Sequence, residues 1–139
     1  MSSGLKWAGS LTRIANYEVE TLQKRLGEVV ERRLDAELRI TLMDAEAEAE
    51  MENANADPMS AMYHPQFLMG WRVRRQQLDE RMAQIAAEEQ GARDALSRAF
   101  EELNKYEHVL EVSKTAANKE TARRETLALD ELGLRAASR

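Results

Sequence analysis

The side chains best suited to chemistry are few, and their spacing works against it. Two histidines, His64 and His108, stand far apart, and neither has a second His or a Cys one helical turn away, so a structural zinc site is not expected. Glu107 and His108 are adjacent, which on a helix sends them to different faces and argues against an acid–base pair. The chain has no cysteine, which removes disulfides and thiolate ligands and is compatible with a reducing cytoplasm. Carboxylates cluster instead. Asp44, Glu46, Glu48, Glu50, Glu52 and Asp57 follow one another without a Lys or Arg, and Arg72, Arg74 and Arg75 come after them. Such charges fit solvated groups meeting across a fold-back rather than a catalytic carboxylate pair. No glycine-rich phosphate loop follows a strand, and no serine sits in a nucleophile elbow. The sequence therefore assigns no catalytic residue, no metal ligand and no cofactor, and the chain reads as non-enzymatic.

The elements that carry these residues are helices. Upstream, apolar side chains recur at alternating steps of four and three: Ala15, Val19, Leu22, Leu26 and Val29, then Ala36, Ile40, Met43 and Ala47. The rhythm returns downstream at Trp71, Leu78, Met82, Ile85, Ala92, Leu96, Ala99, Leu103, Tyr106, Leu110 and Ala117. A stripe of period near 3.5 is the seam of a coiled coil rather than the broader face of a globular helix. The alternating Ala-Glu run has the period of a strand, but Ala and Glu are strong helix formers and poor strand residues, so helix is expected. Between Asn53 and Gly70 the pattern breaks at Asp57-Pro58 and His64-Pro65, where proline lacks an N–H and restricts its predecessor. The expected fold is all-α: two long helices, about 10–53 and 67–132, joined by a tip at 54–66 into an antiparallel coiled-coil hairpin that forms a single domain with an overhanging C-terminal helix.

Composition agrees with a thin scaffold. Charged residues make up 32% of the 139, with two Phe and two Trp, which leaves little material for a wide core. No apolar run approaches the roughly 20 residues of a membrane span, and the first residues lack a signal core with a cleavage site. A net charge of −5, with basic residues interleaved among acidic ones, gives no general attraction for nucleic acid. A soluble cytoplasmic protein is expected.

Folding back near residue 60 makes facing seam positions sum to about 121, given antiparallel helices of equal rise. The stripes then align without a shift, Leu26 with Leu96, Val19 with Leu103, Ala36 with Ile85 and Met43 with Leu78. Arg33 and Glu89 interrupt the two stripes, and the same rule places them opposite one another. They are expected to form a cross-seam ion pair that fixes register more than it adds stability. Gly27 and Gly91 fall at nearly the same level and could permit a bend or a close approach.

The register leaves two features without a place in the seam. Leu5 would face Ala117, so the second helix continues alone for some twenty residues, about 30 Å. This overhang carries Leu127, Leu129, Leu132 and Leu134 among charges, a composition suited to a docking face. At the tip, Met59, Met62, Tyr63, Phe67, Leu68, Met69 and Trp71 either seal the end of the hairpin or meet a partner. Trp7, near the open end, presents the same alternatives.

The chain resembles the FliJ family of the bacterial flagellar export apparatus, with its type III secretion relatives of the YscO kind. The resemblance rests on the opening Leu11-Thr-Arg-Ile14 run leading to Glu18, Leu22 and Leu26, on Tyr106-Glu-His-Val-Leu110, and on the closing Ala122-Arg-Arg-Glu-Thr-Leu-Ala-Leu-Asp-Glu-Leu132. It implies a cytoplasmic component of the export ATPase complex, peripheral to the inner membrane at the flagellar base and needed for motility. By that resemblance the open end enters a hexameric ATPase ring like the stalk of a rotary ATPase, through Arg124, Glu125, Leu129, Asp130 and Glu131. The hairpin body is implied to meet the cytoplasmic domain of the export gate near Tyr63, Phe67 and Trp71, and some members pass on export chaperones. No nucleic acid, membrane insertion or cofactor is implied, and the free chain is expected to be monomeric. The competing reading is a generic structural or chaperone-like coiled coil, prefoldin-like or self-associating.

Overall fold

A computed structural model describes residues 3–138 and contains two helices, α1 (Ser3–Ala56) and α2 (Pro58–Ala137). They pack as an antiparallel coiled-coil hairpin, and α2 overhangs its partner. Among the described residues there is no strand.

The interruption is far shorter than the sequence suggests. Asp57 alone separates the helices, where the sequence pattern predicts a tip over 54–66. The main-chain ladders of the two helices end on it from either side: Asp57 N–H donates to the Asn53 carbonyl and Ala61 N–H donates to the Asp57 carbonyl, each at 3.0 Å. Asp57 also caps α2, its carboxylate accepting from the Met59 N–H at 3.2 Å and from the Ser60 hydroxyl at 3.2 Å. Pro58 then occupies the first helical position, where a missing N–H costs nothing. Pro65 lies inside α2. The carbonyl it leaves without a helical donor belongs to Ala61, an exposed residue whose carbonyl can turn to water.

Packing divides the chain into two compact units, Leu22–Ala95 and the combination of Met1–Thr21 with Leu96–Arg139. In the first, Val29, Ala36 and Ile85 form the buried core, with Leu78 and Met82 packed against it. In the second, Ala8, Ala15, Val19, Ala99 and Leu103 are buried. Ala8 is 1% exposed, so the α1 seam begins earlier than the apolar stripe predicted from Ala15. Alanine supplies much of this interior, so each layer buries little apolar area and stability comes from many thin layers.

Burial follows the heptad step closely. In Leu22–Ala95 the sheltered α1 positions include 22, 26, 29, 33, 36, 40, 43, 47, 50 and 54, with Val30 beside them, and those of α2 run through 71, 75, 78, 82, 85, 89 and 92. Gly27 and Gly91 are exposed, and a Cβ built on either meets nothing within 4 Å. They mark no close approach of the two helices.

Candidate interaction surfaces

Arg33 and Glu89, the two charges on the seam, meet with Arg33 Nε 2.9 Å from Glu89 Oε1. Arg33 also reaches Glu37 at 3.0 Å, and Arg93 lies 3.6 Å from Glu89. The hydrogen bond from Arg33 to Glu89, followed by that to Glu37, raises the Arg33 pKa above its ordinary value. Arg32 pairs with Glu88 one position away. Toward the closed end Arg75 meets Asp44 at 3.2 Å and Arg74 approaches Glu46 at 3.5 Å. The acidic run and the following arginines thus face each other, as opposite charges across a fold-back should.

The tip residues divide between the two roles the sequence allows. Trp71 turns into the hairpin, its indole N–H donating to the Met43 carbonyl at 2.8 Å. Phe67 is half-buried and stacks on His64, with ring centroids 6.2 Å apart and planes inclined by 27°. Neither His64 ring nitrogen has a polar partner among the described residues. Tyr63, by contrast, is 60% exposed, and Met59, Met62 and Met69 stand in solvent with it. The trio of Tyr63, Phe67 and Trp71 is therefore not one surface.

The overhang begins where burial ends. From Thr121 to the end of α2 at Ala137 every residue is exposed, and Glu120 is the last sheltered one. Glu120 accepts from Arg123 at 3.1 and 2.8 Å and from Arg124 at 3.2 Å. Those bonds, Arg123 first, lower its pKa from 4.5 to about 2. Further along, Arg135 pairs with Glu131 at 3.0 Å.

At about 100° per residue, the heptad phase of the seam continues through Arg124, Leu127, Glu131 and Leu134. Leu129 and Leu132 project from the opposite side, with Glu125 beside them, and Asp130 lies between the two faces. The five residues Arg124, Glu125, Leu129, Asp130 and Glu131 consequently encircle the helix instead of forming one face. Leu127, Leu129, Leu132 and Leu134 are 53–72% exposed, so neither leucine ridge is covered by the chain itself.

One surface escapes the apolar periodicity altogether. In the unit containing the open end, Leu5, Lys6, Gly9, Ser10, Arg13, Leu110 and Lys114 line a groove between α1 and α2. Its charges are all positive. The available signal is the absence of any Asp or Glu before Glu18, which becomes meaningful once the register brings Lys114 alongside. Trp7 is 59% exposed and so does not close the seam. Among the described residues no group of three or more His, Cys, Asp or Glu could hold a metal ion. None of the described helices is long and apolar enough to cross a membrane.

The family model described as "Flagellar FliJ protein" matches residues 9–139. Two curated relatives named "Flagellar FliJ protein", from Caulobacter vibrioides strains NA1000 and CB 15, are each 53% identical over 133 residues, covering 96% of this chain and 96% of theirs. No solved structure matches.

Proposed function

Because the chain belongs to the flagellar FliJ family, we propose that it is a non-enzymatic, stalk-like component of the flagellar type III export ATPase complex. In this reading the overhang enters the hexameric export ATPase, and the hairpin body faces the cytoplasmic domain of the export gate at the flagellar base. The observation that carries it is the overhang: an α-helix exposed from Thr121 to Ala137 with leucines on two opposite sides. A helix lying along a flat partner would cover one ridge and leave the other wet. A partner that surrounds the helix covers both.

The exposed tip residues Tyr63, Met59, Met62 and Met69 are the proposed contact with the gate, and the same adaptable side chains suit an escorted export chaperone. The free chain is proposed to be monomeric. Removal of residues 122–139 is expected to abolish binding to the purified export ATPase and to halt swimming on soft agar. Full motility in that truncation would overturn the proposal. The buried residues of both units precede Thr121, so the truncated chain should keep its thermal melting curve, which separates lost docking from lost folding.

A further inference from the structure

The groove at Lys6, Arg13 and Lys114 carries three positive charges in its lining and no negative one. No ion pair holds any of these three cations among the described residues, and Arg13 spends one donor on the neighbouring Ser10 hydroxyl at 3.3 Å. No Asp or Glu lines the groove; Asn16 bonds to Glu20 at 3.2 Å, and Glu111 lines a separate depression with His108, Val112 and Lys119. Leu5, Gly9 and Leu110 add an apolar component to the lining. A Cβ on Gly9 meets nothing within 4 Å, so the wall at that point is open.

We propose that this groove docks an acidic helical segment of a partner protein. Lys6 and Arg13 are one heptad apart, about 10.5 Å along α1, while Lys114 stands on the other wall. A helix bearing carboxylates at i and i+7 places one charge beside each α1 cation, and an apolar residue at i+3 or i+4 covers Leu110. The concave setting selects a protrusion. A flat lipid headgroup layer touches the rims of a groove between two helices but not its floor, whereas a third helix enters it as in a coiled coil.

This inference rests on the stalk reading and deepens it, since it assigns a recognition chemistry to the open end that the overhang does not supply. The test measures binding of the full-length chain to the purified flagellar export ATPase, and separately to phosphatidylglycerol vesicles, between 50 and 300 mM salt. The triple variant Lys6→Glu/Arg13→Glu/Lys114→Glu should bind the ATPase at least about tenfold more weakly at low salt and lose most of the salt dependence. Gly9→Leu, which fills the groove without altering charge and replaces glycine by a better helix former, should weaken binding severalfold at every salt concentration. It also guards against misfolding of the triple variant.

Wild-type affinity in both variants, with binding still abolished by removal of 122–139, would overturn the groove and leave the stalk reading intact. Loss in the variants with full binding by the truncation would support the groove and overturn the stalk. Variants that lose vesicle binding and keep ATPase binding would overturn the proposal in favour of an anionic membrane surface.

Discussion

At the scale of single residues, charges on a seam matter through what they forbid. Glu89 is 16% exposed and Arg33 29%, so removing either leaves its partner poorly solvated and without its main counter-charge. Pairing them, however, only roughly offsets their desolvation. Arg33→Leu and Glu89→Leu singly should therefore each lower the melting temperature more than the Arg33→Leu/Glu89→Leu double variant does, and a thermal double-mutant cycle measures the difference. If the double variant is the least stable of the three, the pair is a source of stability rather than of alignment. Glu120 works differently, being local to α2. Its pKa falls from 4.5 unfolded to about 2 folded, so its contribution is complete above about 4.5 and disappears as pH drops toward 2. Helicity of residues 121–137, followed by NMR, should decline over that window in the native chain. In Glu120→Gln the decline should be absent.

At the scale of elements, the helices tolerate residues that normally end them. Gly27 and Gly91 sit exposed within α1 and α2, with open space where a Cβ would stand. Nothing in the packing needs a bare backbone there, so Gly27→Ala and Gly91→Ala should each stabilise the hairpin by about 1 kcal/mol, measured by urea denaturation. Destabilisation by either would mean that a partner or a bend requires the glycine. The stripes, their register and the Arg33–Glu89 contact were legible in the sequence because each depends on side-chain periodicity. The junction was not. Two prolines seven residues apart look like a loop, but Asp57 supplies a cap, Pro58 occupies a position that needs no donor, and the bond lost at Pro65 falls at an exposed residue, Ala61. Proline's effect depends on where in the ladder it stands, and that is set by the tertiary fold-back. The basic groove was illegible for a related reason. Lys6 and Arg13 are ordinary surface residues until Lys114, a hundred positions away in the chain, is brought beside them.

At the scale of the whole molecule, the junction at Asp57 also bears on how the chain reaches its fold. Within Leu22–Ala95, the bond from Trp71 to Met43 spans 28 residues and that from Arg33 to Glu89 spans 56. Closing the outer contact from an open chain costs more conformational entropy than closing the inner one. Once Trp71 has met Met43, each further layer is only a short extension of an existing pair, and the helices can zip outward from the closed end. Residues beside Asp57 then belong to the folding nucleus and govern how fast this unit forms, while layers farther out govern how long it persists. A connection of one residue, unremarkable as structure, becomes the step at which the chain commits to its register.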